Sequence, residues 1–183
     1  MSRLTVIAGP TAVGKGTVVR WLLDNDPNIQ VSVSATTRSP RPGEIDGQSY
    51  YFVSTGEFES MIAAGELLEY AVVHGSNYYG TPRKPVEQAL AAGKQVILEI
   101  DLQGARQIKE SMPEANLIFI APPNWDELER RLALRGTETP EQIAVRLATA
   151  REEMAAKAEF DHVVINTEVA ECGQQVLDLM QAS

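Results

Sequence analysis

The sequence predicts an α/β fold whose parallel central sheet is covered by helices on both faces. Three observations carry that expectation. Short runs with few polar residues (Leu4 to Ala8, Gln95 to Ile100, Leu117 to Ala121, His162 to Asn166) alternate with longer amphipathic stretches. Gly, Pro and capping residues punctuate the changes from one to the other. The length of 183 residues fits one compact domain rather than two independent cores.

Leu4-Thr-Val-Ile-Ala8 reads as a buried strand, glycines follow, and Thr17 to Leu23 reads as a helix closed by Asp26-Pro27-Asn28. Ile29 to Ala35 is a strand candidate, Thr36 to Gly47 is a loop rich in Pro, Gly and Arg, and Tyr50 to Val53 is a short strand. Ser54 with Glu57 forms a capping-box pattern opening a helix that stops at Gly65. Leu67 to Val73 reads as strand, and Pro85 to Ala92 as helix with Gly93 placed just after its end. After the strand Gln95 to Ile100 comes a helix over Leu102 to Ser111, then the strand Leu117 to Ala121 closed by Pro122-Pro123. Asn124 with Glu127 opens the next helix, which ends at Gly136. Thr139-Pro140-Glu141-Gln142 starts another, running to about Lys157; the strand His162 to Asn166 and the helix Val169 to Met180 complete the chain. The half-polar strands between Thr36 and Tyr79 break the alternation and imply a small sheet inserted at the mouth of the main one.

The formal charge is −9, so nothing global attracts nucleic acid or an acidic membrane. Positive charge is instead local, at Arg38/Arg41, Arg130/Arg131/Arg135 and Arg146/Arg151. The single Cys172 forms no intrachain disulfide and reads as a helix packing residue. No apolar run has the length of a membrane span, and the N-terminal one is too short for a signal peptide. The expected setting is the cytoplasm, with no nucleic acid or membrane partner.

Gly9-Pro10-Thr11-Ala12-Val13-Gly14-Lys15-Gly16-Thr17 stands between the first strand and the first helix with the spacing G-x-x-x-x-G-K of a phosphate-binding P-loop. Glycines let successive N–H groups point at one anion, the helix N-terminus adds its dipole, and Lys15 adds a mobile charge. Gly16 stands where Ser or Thr usually offers Mg²⁺ a hydroxyl; Thr17 places one next door.

The string Ser34-Ala-Thr-Thr-Arg38-Ser-Pro-Arg41-Pro-Gly-Glu44, with Asp46-Gly47 and Tyr50, resembles the guanylate kinase family closely. So do Gly65 to Gly80, Ile97 to Gly104, Arg135-Gly-Thr-Glu-Thr139 and the terminal Val-Val-Ile-Asn166, in family order over the whole chain. The resemblance implies a three-layer P-loop fold with an inserted small GMP-binding β/α region and a helical lid. The single domain 1–183 then divides into a core (1–33, 82–123 and 158–183), a GMP-binding region (34–81) and a lid (about 124–157). It implies MgATP-dependent phosphorylation of GMP, and of dGMP, in purine nucleotide synthesis and recycling.

Residue by residue, the resemblance gives the GMP phosphate to Arg38, Arg41, Tyr50 and Tyr79, whose guanidinium forks and phenols suit a dianion. It gives the guanine to Ser34, Glu69, Thr81 and Asp101, where a carboxylate such as Glu69 would accept from both N1 and N2. Glu99 and Asp101 follow a buried strand, where P-loop proteins place carboxylates that order metal or water; a helix cap is the plainer reading of Asp101. Arg131 and Arg135 share a helix face. Arg135 and Arg146 resemble lid arginines that close over the transferring phosphoryl group, and Asn166 matches a position near the donor adenine. Catalysis then falls to Lys15, Arg41, Arg135 and Arg146, with Mg²⁺ carried on the ATP phosphates and approached through water by Thr17 or Asp101. Tyr78 reads as packing, Arg130 as solvated, and His74 and His162 as non-catalytic. Two rival readings are an adenylate kinase, whose loop also carries Gly-Lys-Gly-Thr, and a non-catalytic guanylate kinase-like binding module. Ser34 to Arg41, Glu69 and Tyr79 weigh against the first, and the intact Gly14-Lys15 against the second.

Overall fold

The structure is a computed structural model describing residues 3–73, 76–134 and 139–182. In chain order the first elements are β1 (Leu4–Ala8), α1 (Lys15–Asn25), β2 (Ile29–Val31), β3 (Ala35–Thr36), β4 (Tyr51–Phe52), α2 (Thr55–Ala63), β5 (Leu67–Val73) and β6 (Asn77–Pro82). Then come α3 (Arg83–Ala91), β7 (Gln95–Glu99), α4 (Leu102–Ser111), β8 (Asn116–Ala121), α5 (Trp125–Leu134), α6 (Pro140–Ala155), β9 (His162–Ile165) and α7 (Val169–Gln181). A 3₁₀ turn over Ala156–Glu159 links α6 to β9.

The central sheet runs β2-β7-β1-β8-β9, and each neighbouring pair is parallel. Its apolar runs divide by residue parity because successive side chains of a strand face opposite ways. Leu4, Val6 and Ala8 of β1, Val96 and Leu98 of β7, and Leu117, Phe119 and Ala121 of β8 pack beneath α3 and α4. Ile7, Ile97, Ile118 and Ile120 pack on the opposite face against α1 and α7. A strand buried on both sides has no polar face to show, which is why these runs were legible. Cys172 is fully buried in the second layer, where burial pushes its thiol up to about 11, in keeping with a packing role.

A second, mixed sheet of order β4-β3-β6-β5 forms the insert, with its own small core around Ala35, Phe58 and Leu67. Tyr78 stacks on Phe58 at 5.0 Å, as its packing role requires. Two expectations change here. The strand drawn over Ile29 to Ala35 is two strands in different sheets, β2 in the core and β3 in the insert. Strand β6 was not expected at all. Asn, Gly and Pro are depleted in strands, yet Gly80 is needed: a Cβ there would lie 2.8 Å from Glu69 O and 3.0 Å from the Phe58 ring. The capping boxes at Ser54/Glu57 and Thr139/Gln142 both form as read.

Candidate active site

The chemically apt residues converge on the carboxyl edge of the central sheet, where open α/β folds bind their ligands. The loop Gly9 to Gly14 leaves the end of β1; Glu99 and Asp101 leave the neighbouring β7; Asn166 follows β9. Close packing sets the loop's shape. Gly9 has φ +150° and lies so near β8 that a Cβ would fall 2.2 Å from Ile120 O. Gly14 caps α1 at φ +98°, and Ala12 also holds positive φ at 68°. Lys15 folds back to donate to Gly9 O at 2.5 Å and Pro10 O at 3.2 Å.

One carbonyl of the loop is braced from two distant elements. Asn166 Nδ2 donates to Val13 O at 2.8 Å, and Arg131 donates to the same oxygen at 3.1 Å and to Asn166 O at 3.2 Å. Glu127 orients Arg131 at 2.8 Å and also pairs with the exposed Arg130. These two guanidiniums hold the Glu127 carboxyl down to about 2. Asn166, given by the resemblance to a position near the donor adenine, stands here as a brace of the phosphate loop. Arg131 joins it through a contact that the four-residue spacing with Arg135 could not reveal. Arg135 lies outside the described residues, and Arg146 is half-buried on α6.

In the insert, Arg38 forms a bidentate pair with Glu44 at 2.8 and 3.0 Å, and its Nε donates to the Tyr79 hydroxyl at 3.2 Å. The guanidinium also lies 5.3 Å from the centre of the Tyr50 ring, which meets Tyr79 edge-on at 5.9 Å. Glu44 raises the Arg38 pKa above its ordinary value, and Arg38 lowers that of Glu44. Three of the four residues given to the GMP phosphate therefore form one cluster. Arg41 stands exposed at its rim, its backbone N–H held by Glu44 at 2.7 Å. The role of Glu44 as the clamp of Arg38 went unread because the two are six residues apart in a loop.

Glu69 is 7% exposed on β5 and accepts from the Thr81 hydroxyl on β6 at 2.6 Å. Burial raises its pKa, with the charge of Asp101 adding and the Thr81 bond opposing. The N-terminal turn of α4 lies against it: a Cβ on Gly104 would be 3.2 Å from Glu69 Oε2. Asp101 caps that turn by accepting from Gly104 N–H at 2.8 Å, so the plainer reading of Asp101 is realised. Ser34 is half-buried beside β3 and its carbonyl accepts from Tyr51 N–H at 2.9 Å. Glu153 of α6 was not singled out by sequence. Its partly buried carboxyl has an unpartnered Oε2, and its pKa is raised by burial, with the charge of Lys15 opposing and that of Asp101 adding.

The family model described as guanylate kinase matches residues 1–183. The chain belongs to the guanylate kinase family. It is 60% identical over 177 residues to a guanylate kinase of Leifsonia xyli subsp. xyli, covering 97% of this chain and 70% of that one. It is 58% identical over 178 residues to one of Nocardia farcinica, covering 97% and 92%. The crystal structure of guanylate kinase from Anaplasma phagocytophilum superposes with a TM-score of 0.74 at 34% identity, covering 99% of this chain and 85% of that one. The parallel sheet, the loop and the inserted sheet are thus those of a guanylate kinase P-loop fold. Among the described residues no helix is long and apolar enough to cross a membrane.

Proposed function

We propose that the chain transfers the γ-phosphoryl group of ATP to GMP, and to dGMP, giving ADP and GDP or dGDP. The observation that carries this is the buried Glu69 carboxylate, hydrogen-bonded to Thr81 on one oxygen and seated against the same sheet edge as the phosphate loop. Guanine offers two adjacent donors, N1–H and N2–H, to such an acceptor. Adenine presents an acceptor and a C–H there, so binding adenine would strand a buried charge.

The chain works as a core that holds the donor, an insert (34–81) that holds the acceptor, and a lid of about 124–157. The loop amides and Lys15 bind the β- and γ-phosphates; Lys15 gives up its bonds to Gly9 O and Pro10 O for the anion. Arg38, Tyr50, Tyr79 and Arg41 grip the GMP phosphate. An oxygen of that phosphate attacks the γ-phosphorus in line, forming one P–O bond as the bond to ADP breaks. The acceptor is already ionised, so no protein nucleophile or base is needed. The task left to the protein is alignment and charge compensation by Lys15, Arg41, Arg135 and Arg146.

Mg²⁺ fits this site through water. Among the described residues no group of three or more acidic or His/Cys side chains could cage a metal ion. The carboxylate oxygens of Glu99 lie 3.8 and 3.9 Å from where a Cβ on Gly16 would stand, beside the loop. Glu99, Asp101 and Thr17 would meet the ion's hydration shell, the usual arrangement for Mg²⁺ on nucleotide phosphates. When bound, the ion neutralises charge on the donor phosphates.

Phosphorus NMR on a mixture of MgATP and GMP tests the proposal. Equimolar ADP and GDP are expected; GMP binding without any GDP would support the binding-module reading instead.

A further inference from the structure

Strand β5 is the outer strand of the inserted sheet, and its free edge faces helix α4 instead of another strand. Such an edge leaves backbone groups unpaired. Here two side chains of α4 take up three of them. Gln107 Oε1 accepts from Tyr70 N–H at 3.0 Å while its Nε2 donates to Tyr70 C=O at 2.9 Å. Ser111 Oγ donates to Leu68 C=O at 2.8 Å. A single side-chain amide thus makes the pair of bonds that a residue of an adjacent antiparallel strand would make.

The two anchored residues flank Glu69. The register of β5 on β6 slips between Leu67 and Glu69, so Leu68 is an extra residue in the ladder. Leu67 then packs into the insert's core and Leu68 into the main core. Gly104, Gln107 and Ser111 lie at i, i+3 and i+7, one face of α4. Gly104 approaches the Glu69 carboxylate, Gln107 holds the residue after it, and Ser111 holds the residue before it.

We propose that Gln107, supported by Ser111, is a positioning residue for guanine selection, locking the backbone on either side of Glu69 to the helix capped by Asp101. The inference rests on the reading of Glu69 as the guanine acceptor. Glu69 must meet two donors at once, so a small displacement of β5 costs affinity for the base without touching the donor site.

The test uses Gln107→Met, which keeps chain length and loses both bonds, and the double variant with Ser111→Ala. Steady-state kinetics are measured with GMP and with IMP, which lacks the 2-amino group, together with hydrogen exchange at the Tyr70 amide. The double variant is expected to exchange Tyr70 faster and to raise KM for GMP roughly five- to tenfold. Its preference for GMP over IMP should shrink by a similar factor, while KM for ATP and kcat stay within about twofold. Faster exchange with an unchanged KM for GMP would overturn the proposal. So would a parallel rise in both Michaelis constants with a lower melting temperature, which marks general loosening. Equal use of GMP and IMP by the unaltered protein would defeat the reading of Glu69 itself, and that result is in hand before any variant is made.

Discussion

The phosphate loop and the inserted sheet, to which the proposed function gives the two anions, are built by different means. The loop is backbone: its shape follows from Gly9 pressed on Ile120, Gly14 capping α1, and Val13 O braced by Asn166 and Arg131. The insert is side chain: Arg38 is held by Glu44, Tyr79 and Tyr50, and Glu69 by Thr81 and the face of α4. A backbone cradle fits any nucleoside triphosphate, because phosphates are alike. A side-chain cluster around a base can refuse the wrong one. Donor tolerance and acceptor discrimination are therefore expected to separate cleanly on mutation.

The largest effect is expected on the loop. Lys15→Met should lower kcat by about 10³-fold, since the proposed function sets that charge on the transferring group. GMP binding by calorimetry should be unchanged; a matching loss of GMP affinity would break the division into two halves. Gly9→Ala should destabilise the whole chain by about 3 kcal/mol, because the new Cβ meets the Ile120 carbonyl and φ is +150°. Chemical denaturation gives the value, and an unchanged midpoint would show that the loop can shift off β8.

Glu69→Gln should raise KM for GMP by about 10²-fold with KM for ATP unchanged. Stability should move the other way. The Glu69 pKa is raised by burial, so the folded state binds the proton more tightly than the unfolded one. Ionisation of Glu69 therefore subtracts stability. That penalty is absent below the ordinary carboxylate pKa of 4.5 and complete above the raised one. At neutral pH the Gln variant should melt above its parent, and its KM for GMP should lose the rise that the parent shows as Glu69 protonates under acid. A variant that melts lower at pH 7 would contradict the burial argument. The smallest effect belongs to Gly16→Ser, within about 0.5 kcal/mol in stability, because an added Cβ meets only ordinary contacts with Glu99.

The same contrast explains what could be read in advance. Core strands buried on both faces announce themselves as apolar runs, and the loop by a spacing that backbone geometry demands. Leu102 to Ser111 was bounded correctly because Asp101 caps it and its apolar stripe is regular. The insert was harder. Strand β6 carries Tyr79 and Thr81, yet its Asn, Gly and Pro speak for a turn; only the crowding of Gly80 by Glu69 and Phe58 explains the glycine. Family resemblance singled out Arg38, Glu69 and Tyr79, but not the residues that contact and orient them. Glu44, Arg131 and Gln107 act through contacts between segments, and no local spacing encodes those.

The most direct measurement is ADP formation from MgATP with GMP, dGMP, AMP, UMP and CMP offered separately at matched concentrations. The buried acceptor at Glu69 predicts rapid turnover with GMP and dGMP, and rates with AMP lower by about 10² or more. Equal rates with AMP and GMP would contradict the claim that the insert names the acceptor.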